Sequence, residues 1–176
     1  MRQVLLVLLA SIVGAAESIP GITAQVYFSP DGGCTTAIVT AIDAARSTVR
    51  VQAYSFTSAP IAKALATAQA RGVDVRVILD KSQRTERYSG ADFIAHAGIP
   101  VLIDEKPAIA HSKVMIIDSG TIITGSFNFT TSAESRNVEN VLILRSAELA
   151  AAYTANWQTR SALSVPYIPK DARPSP

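Results

Sequence analysis

Strand and helix patterns alternate in the first half of the chain, and this alternation restricts the fold more than any other feature of the sequence. Residues 48–56 and 73–79 are rich in valine, as buried strands are, and an alanine-rich helix pattern over residues 59–70 separates them. A strand pattern over residues 25–29 and a helix pattern over residues 35–46 precede them. Two successive β-α-β units require parallel strands, so we predict an α/β layered fold.

Three short β-branched runs in the second half of the chain carry a group of polar residues. They are predicted to be buried strands, and they comprise Val114–Ile117, Thr121–Thr124 and Val138–Leu144. His111 and Lys113 stand at the start of the first run, and Ser126 and Asn128 follow the second run. A rigid sheet would therefore present these polar side chains, as a catalytic site requires.

The period of a strand separates the roles of the charged residues. Side chains two residues apart share a face, so His111 and Lys113 are predicted to point the same way. Asp118 has the opposite parity and lies about 23 Å from His111 along an unbroken strand. We therefore expect it to support the strand end and the turn that follows. Glu139 interrupts an apolar run, and because a buried carboxylate needs a partner, we predict that it orients the His111 ring.

These residue types suit the chemistry of a phosphate diester. An imidazole can act as a nucleophile or as a general acid and base near neutral pH, and a lysine beside it adds positive charge. Hydroxyl and amide groups add neutral donors for the charge that grows on the non-bridging oxygens. The predicted substrate-binding residues are Lys113, Ser126 and Asn128. The predicted catalytic set comprises His111, Lys113, Ser126, Asn128 and Glu139, with Asp118 in support.

The spacing of the polar residues resembles a known signature. The pattern His-x-Lys-x4-Asp-x6-Gly-Ser-x-Asn is complete from His111 to Asn128 and resembles the HKD motif of the phospholipase D superfamily. From about Val26 to Trp157, the chain is similar to the small secreted bacterial endonucleases of that superfamily, and Glu139 matches the family's acidic residue near the histidine. The resemblance implies a layered α/β sandwich with a mixed, mostly parallel sheet flanked by helices. It also implies a two-step displacement through a phosphohistidine, without metal, in which a second histidine protonates the leaving oxygen.

The histidine content adds a constraint of its own. The chain has two histidines, and His96 lies in a short helix pattern that ends at Gly98, with no lysine two residues on. We predict that His96 is a helix-end residue without a catalytic role. The second catalytic histidine must then come from another chain, so we predict a homodimer in which two copies of His111 form one active site on the two-fold axis.

The two ends of the chain are predicted to lie outside the catalytic domain. Residues 4–16 are almost wholly apolar after a short positive start, which indicates a secretory signal peptide over residues 1–24. We prefer cleavage after Ala24 to cleavage after Ala16, and an uncleaved membrane anchor is the alternative. The catalytic domain is expected to span residues 25–165, followed by a weakly ordered, proline-rich tail over residues 166–176. The mature protein would be periplasmic or secreted, without stable membrane association.

The sequence offers no evident site for a cofactor. Cys34 is the single cysteine and is expected to be buried and inert, with a link between two chains as the alternative. Without a Cys/His cluster or a close carboxylate cluster, neither zinc nor magnesium is expected. The polar segment Lys81–Ser89 is predicted to be either a mobile loop that contacts nucleic acid backbone or a solvated surface loop.

The substrate is the least constrained of these predictions. A net charge of +2 and a pI near 8.8 fit a polyanion, although the excess charge is slight. We predict non-specific cleavage of DNA and leave RNA open, because contacts to phosphates position a nucleic acid without reading its sequence. The alternatives are a phospholipase D or phosphatidyl transferase acting on phospholipids, and a non-catalytic module that binds phosphate.

Overall fold

A computed structural model describes residues 22–87 and 89–172 of the chain. Within these residues, eight strands form one sheet in the order β1-β7-β6-β5-β2-β3-β4-β8. The strands are β1 Thr23–Ser29, β2 Thr48–Ala53, β3 Asp74–Asp80, β4 Val101–Asp104, β5 Lys113–Ile117, β6 Thr121–Gly125, β7 Glu139–Arg145 and β8 Val165–Pro166. The helices are α1 Cys34–Asp43, α2 Ala59–Ala70, α3 Ala91–His96, α4 Thr131–Ser135 and α5 Ala147–Leu163. Short 3₁₀ turns cover Lys81–Arg84 and Lys170–Ala172.

The layered α/β fold is confirmed, but the prediction that the sheet is mostly parallel is wrong. Among the described strands, β2 pairs with β3 and β3 with β4 in parallel, and the other neighbouring strands are antiparallel. The three-residue connection from β5 to β6 can join only antiparallel neighbours. β1 and β2 run in the same direction, as a β-α-β unit requires, but β7, β6 and β5 lie between them.

Helices cover both faces of the sheet and enclose two apolar clusters. The larger cluster lies under α1, α2 and α3 and contains Met115 and Ile117 of β5. The smaller cluster lies under α5 and contains Val114 and Ile116 of the same strand. The side chains of β5 therefore alternate between the two faces as the parity of the strand predicts. Trp157 belongs to the smaller cluster, where its indole N–H donates to the Val51 carbonyl oxygen at 3.0 Å.

The strand directions gather several chain ends at one edge of the sheet. The carboxyl ends of β1, β2, β3, β4 and β6 meet there with the amino ends of β5 and β7. Side chains that follow or precede these strands are thus close in space although they are distant in sequence. Sites of α/β proteins commonly form at the carboxyl ends of the strands.

The tail that we predicted to be weakly ordered packs against the domain as far as residue Ala172. β8 pairs with β4, and the Tyr167 hydroxyl donates to Asp92 Oδ1 at 2.7 Å. The Lys170 N–H donates to the same oxygen at 2.9 Å. Residues 166–172 therefore continue the domain, because their backbone and side chains find partners on β4 and α3.

The predicted signal peptide lies largely outside the described residues. β1 begins at Thr23, and Thr23 and Ala24 pair with Arg145 and Leu144 of β7. Cleavage after Ala24 would remove these two paired residues, whereas cleavage after Ala16 would leave β1 complete. Across residues 22–87 and 89–172, none of the helices has the length and apolar character needed to cross a bilayer.

The segment after β3 is a structured turn. The Asp80 carboxylate accepts the Ser82 N–H at 2.9 Å, and the buried Gln83 accepts the Phe56 N–H at 3.2 Å. Lys81 donates to the Pro107 carbonyl oxygen at 3.1 Å. Residues 81–84, within the segment predicted to be a loop, therefore form a capped 3₁₀ turn that is hydrogen-bonded to neighbouring segments.

Candidate active site

His111 and Lys113 form one hydrogen-bonded unit at the edge where the strand ends meet. Lys113 is the first residue of β5, and the exposed His111 lies just before it. The Lys113 ammonium is 2.9 Å from His111 Nδ1 and donates to the His111 carbonyl oxygen at 2.7 Å. The two side chains share a side of the strand, as predicted. A nucleophilic or proton-carrying imidazole is thus exposed, with a cation held beside it.

Lys113 is buried although it carries a charge. Only 7 % of the surface of this residue is exposed. Burial lowers the pKa of Lys113, and the negative charge of Glu139 offsets part of that effect. The ammonium also lies 5.3 Å from the centre of the Tyr54 ring, within the range of a cation–π interaction. This environment holds the lysine charge in a defined place, which favours the binding of an anionic group.

Tyr54 completes the unit and was not among the predicted site residues. Its ring centre is 4.6 Å from the ring centre of His111, with the planes tilted by 53°. Its backbone N–H donates to the Ser112 carbonyl oxygen at 3.0 Å, which extends the pairing of β2 and β5 to the residue beside His111. The signal in the sequence was its position near the end of the predicted strand over residues 48–56, which ends at the same edge.

The glycine of the Gly-Ser-x-Asn segment is required by close packing. Gly125 has φ 149°, and a Cβ atom at this position would lie 2.2 Å from the Asn140 carbonyl oxygen. Ser126 Oγ accepts the backbone N–H of Asn140 at 3.1 Å and its side-chain N–H at 3.3 Å. Gly125 and Ser126 therefore join the end of β6 to the start of β7. Ser126 is predicted to bind substrate, and the structure gives its hydroxyl this joining role as well.

Asn128 is held by the residues on either side of it. Phe127 and Phe129 are buried, and the Phe129 carbonyl oxygen accepts the N–H groups of Thr57 and Ser58. These bonds place the segment beside the chain that leaves β2. Asn128 Oδ1 is buried without a hydrogen-bond partner among the described residues. The fold thus fixes the position of this side chain, and the predicted phosphate contact would use its Nδ2 donors, since an Oδ1 acceptor cannot bind a phosphate oxygen.

Glu139 is placed near the site but is not paired with His111. It is the first residue of β7, and its Oε1 accepts the Asn137 side-chain N–H at 3.2 Å. Within the described chain, the His111 ring is instead held by Lys113 and Tyr54. The predicted hydrogen bond between Glu139 and His111 is therefore not formed, and a part for Glu139 in catalysis stays a prediction.

Asp118 lies at the opposite edge of the sheet from His111, so its place in the catalytic set is corrected to a structural one. Its carboxylate accepts the N–H groups of Arg46 and Ser47 at 2.8 Å and of Thr48 at 2.9 Å. Partial burial disfavours its ionisation, but these bonds outweigh that effect and lower the pKa of Asp118. Asp118 thus supports the loop before β2, and not the turn after β5 that we predicted.

Asp80 supports the chain before His111 and was missed by the sequence analysis. Only 3 % of this residue is exposed, and its Oδ2 accepts the Ala110 N–H at 2.7 Å. Burial opposes its ionisation, but the hydrogen bonds from Ser82 and Ala110 are stronger and lower its pKa. The carboxylate thus fixes the residue that precedes His111. A polar residue at the end of the apolar β3 run was the available signal.

His96 and Cys34 are placed as predicted, away from this cluster. His96 ends α3 and its Nε2 is 3.1 Å from Asp171 Oδ2. Cys34 is fully buried, and burial together with the charge of Glu134 raises the pKa of its thiol to about 11. A buried, protonated thiol suits the inert role rather than a link between chains. No group of three or more His, Cys, Asp or Glu residues suited to a metal ion occurs among the residues described.

Comparison with known proteins agrees with the fold and the motif. The family described as "Cardiolipin synthase, PLD-like domain" matches residues 38–160. The chain is 48 % identical over 135 residues to a protein named "Phospholipase D" from Rickettsia conorii. The aligned residues cover 77 % of this chain and 68 % of that protein. It is 37 % identical over 111 residues to the mouse protein "Mitochondrial cardiolipin hydrolase", covering 63 % of this chain and 50 % of that protein.

A solved structure supports the same assignment. The crystal structure of Nuc from Salmonella typhimurium, described as a phospholipase D family member, superimposes with a TM-score of 0.80 at 41 % identity. The match covers 83 % of this chain and 98 % of Nuc. With the complete HKD motif placed at the edge of the same fold, this chain belongs to the phospholipase D superfamily.

Proposed function

We propose that the protein is a homodimeric phosphodiesterase that cleaves nucleic acid through a phosphohistidine on His111, without a metal ion. The observation that carries the proposal is the exposed imidazole of His111 hydrogen-bonded to the buried ammonium of Lys113. The phosphodiesterase character of the superfamily fits this pair. The finer claim, that the diester belongs to DNA or RNA, rests on the open polar edge and on the similarity to the small secreted endonucleases.

The reaction proceeds in two displacements at phosphorus. Nε2 of one His111 attacks, a P–N bond forms and the P–O bond to the leaving sugar oxygen breaks. The partner subunit's His111 donates a proton to that oxygen. It then takes a proton from water as the hydroxide attacks phosphorus. The P–N bond breaks, and the phosphate product and free His111 result.

The neighbouring groups support the charge of the transition state. Lys113 is close enough to His111 for its ammonium to contact a phosphate oxygen held at the imidazole. Asn128 follows β6 at the same edge of the sheet, and the N–H donors of its amide would bind a second oxygen. When phosphate draws the Lys113 donor away from Nδ1, that nitrogen can carry the ring proton and Nε2 is free to attack.

Two observations support a site shared by two chains. The chain has two histidines, and His96 at the end of α3 is paired with Asp171 of the 3₁₀ turn Lys170–Ala172. Phe28 is 62 % exposed and Val138 is 89 % exposed; Val138 directly precedes Glu139, and Phe28 of β1 pairs with Asn140 of β7. Apolar side chains in such a place favour contact with a partner surface. A two-fold interface there would bring two copies of His111 together.

The second candidate function is the hydrolysis of phospholipids. The relatives named "Phospholipase D" and "Mitochondrial cardiolipin hydrolase" favour it. Phe28 and Val138 could enter a lipid surface instead of a protein interface. The chemistry at phosphorus would be the same, so the substrate and not the mechanism separates the two candidates.

Parallel assays on one protein preparation test both candidates. The full chain and a His111→Asn variant are incubated in excess EDTA with supercoiled plasmid, with a single-stranded oligonucleotide and with vesicles of phosphatidylcholine and cardiolipin. Loss of plasmid or oligonucleotide with the wild type alone is the expected result. Release of phosphatidic acid from vesicles without nucleic acid cleavage would replace the proposal with the lipid function. Activity that returns only with magnesium would overturn the metal-free mechanism.

A further inference from the structure

The segment that leads from β4 to His111 is positioned by hydrogen bonds and not by packing. We call residues 105–112 the approach segment. These residues form neither helix nor strand, and none of them is buried. Ile109, the largest apolar side chain of the approach segment, is 55 % exposed. Because such a segment can shift without loss of core contacts, the position of the His111 imidazole depends on polar contacts.

Three consecutive backbone positions around the imidazole are each held by a polar group. The residue before His111 donates its N–H to Asp80 Oδ2 at 2.7 Å. The His111 carbonyl oxygen accepts the Lys113 ammonium at 2.7 Å, and the next carbonyl oxygen accepts the Tyr54 N–H at 3.0 Å. Lys113 and Tyr54 belong to the site itself. Asp80 is therefore the group that holds the backbone at His111 from outside the site.

The carboxylate of Asp80 is itself firmly fixed. Asp80 ends β3 and caps the 3₁₀ turn Lys81–Arg84, where its second oxygen accepts the Ser82 N–H at 2.9 Å. Only 3 % of Asp80 and 3 % of Gln83 is exposed, and Gln83 Oε1 accepts the Phe56 N–H at 3.2 Å. The turn is thus joined to the chain that leaves β2. A carboxylate held in this way is a preorganised support for a catalytic group.

Two other contacts between the turn and the approach segment lie nearer to the solvent. The Lys81 ammonium donates to the Pro107 carbonyl oxygen at 3.1 Å, and Arg84 pairs with Glu105 at 2.7 Å. Lys81 and Glu105 are exposed, and contacts between exposed charged groups contribute little. The buried bond from Asp80 therefore carries most of the constraint on the approach segment.

We infer that Asp80 is a positioning residue for the phosphodiester reaction, because its bond to the Ala110 N–H fixes where the His111 imidazole stands relative to Lys113. The inference rests on the proposed function, in which His111 attacks phosphorus, and it adds to the reaction a residue outside the HKD motif. A displacement of about 1 Å at a reacting group can lower the rate about 10²-fold.

The first test is Asp80→Asn. A side-chain amide has one acceptor oxygen, so it cannot accept both of the N–H groups that the carboxylate accepts. With the small diester bis(4-nitrophenyl) phosphate, we expect kcat to fall about 10²-fold, the effect of a misplaced nucleophile. KM should stay within about threefold, since Lys113 keeps its place in β5 and continues to bind the phosphate.

Asp118→Asn is the matched control for Asp80→Asn. Asp118 is also a carboxylate that accepts backbone N–H groups, but it lies at the opposite edge of the sheet. Both substitutions should lower the melting temperature, because each removes a bonded carboxylate. Only Asp80→Asn should lower kcat. Equal effects of the two substitutions on kcat would overturn the inference.

A second variant isolates the hydrogen bond from the side chain. Replacement of Ala110 by lactic acid, introduced by stop-codon suppression, puts an ester oxygen in place of the N–H and keeps Asp80 with its bond to Ser82. This variant should lower kcat as Asp80→Asn does, and it keeps the test decisive if Asp80→Asn does not fold. The two changes together should lower kcat no more than about twofold beyond either one, because both remove the same bond. Losses that multiply would overturn the inference.

The nuclear magnetic resonance signals of the two histidine rings separate positioning from a merely structural role. In both variants the His111 ring signal should move, because its distance to Lys113 and Tyr54 changes. His96 lies on α3 and serves as the internal reference, so its signal should not move. A lower melting temperature with an unchanged His111 signal would show a structural role and overturn the inference.

The outcomes also separate this inference from the proposed function. If the wild type hydrolyses the diester and Asp80→Asn retains kcat within about twofold, Asp80 has no positioning role and the proposed function stands. If the wild type hydrolyses neither the small diester nor nucleic acid nor phospholipid, the proposed function and this inference are overturned together.

Discussion

The ammonium of Lys113 lies 2.9 Å from Nδ1 of His111 and donates to the carbonyl oxygen of the same histidine at 2.7 Å. This short-range geometry places a cation and a nucleophile in one unit before any substrate arrives. Because Lys113 is buried and its neighbour is exposed, the charge is held by the fold while the imidazole faces the substrate. Preorganised charge of this kind stabilises a transition state without reorganisation during the reaction.

Removing the Lys113 charge should abolish most activity without unfolding the protein. We expect Lys113→Met to lower kcat about 10²–10³-fold, the range seen when one preorganised group is lost. The melting temperature should not fall, because an apolar side chain replaces a buried charge. Hydrolysis of bis(4-nitrophenyl) phosphate measures kcat, and Lys63→Met on the exposed side of α2 is the control. A loss below tenfold would contradict the assigned role.

The ring of Tyr54 should matter more than its hydroxyl. The ring contacts the His111 imidazole and lies near the Lys113 ammonium. Tyr54→Phe keeps both contacts and should retain kcat within about threefold. Tyr54→Leu removes a ring contact of about 1 kcal/mol and should lower kcat roughly five- to tenfold. If Tyr54→Phe lowered kcat for the same diester five- to tenfold, as Tyr54→Leu should, the hydroxyl would carry the function.

Gly125 should tolerate no side chain. A Cβ atom would lie 2.2 Å from the Asn140 carbonyl oxygen, and φ is 149°. We expect Gly125→Ala to reduce the free energy of unfolding by about 3 kcal/mol or more, since both a clash and backbone strain arise. Gly98→Ala is the matched control, because its φ is 80° but a Cβ there meets no atom within 4 Å, and it should cost about 1 kcal/mol. Similar losses for the two variants in urea unfolding would refute the clash.

Asp118 should contribute to stability at neutral pH and not to chemistry. Its pKa is lower in the folded state, so its contribution is present above the unfolded pKa and is lost as pH falls through the folded pKa. Asp118→Asn should therefore lower the free energy of unfolding by about 2 kcal/mol at pH 7, and the difference should shrink below about pH 4. Asp43→Asn on the exposed end of α1 is the control.

The same variant checks the location of Asp118. In folded Asp118→Asn protein, kcat should stay within about twofold of the wild type, because the residue lies at the opposite edge of the sheet from His111. A stability difference that does not change with pH, or a large fall in kcat, would argue against the structural role.

If two chains share one active site, an excess of an inactive variant should suppress the activity of the wild type. When the wild type is mixed with a ninefold excess of His111→Asn and the chains exchange, most wild-type chains have a variant partner. Each mixed dimer has one His111, so the activity of a fixed amount of wild type should fall about tenfold. The measurement is diester hydrolysis after equilibration, with bovine albumin as the control for added protein. Undiminished activity would show that each chain has a complete site.

The sequence by itself determined most of the strands and helices, the motif and the family of this protein. The alternation of valines, the helix pattern over residues 59–70 and the parity of His111 and Lys113 are local properties, and α2 begins and ends at the predicted residues. The spacing from His111 to Asn128 identified the superfamily because its residues lie within one short stretch.

Only the tertiary structure decided which strands are neighbours and which distant residues meet. β5, β6 and β7 lie between β1 and β2, and this order depends on pairing between strands that no local pattern reports. The same non-local pairing brings the loop before β2 onto Asp118 and Tyr54 onto His111.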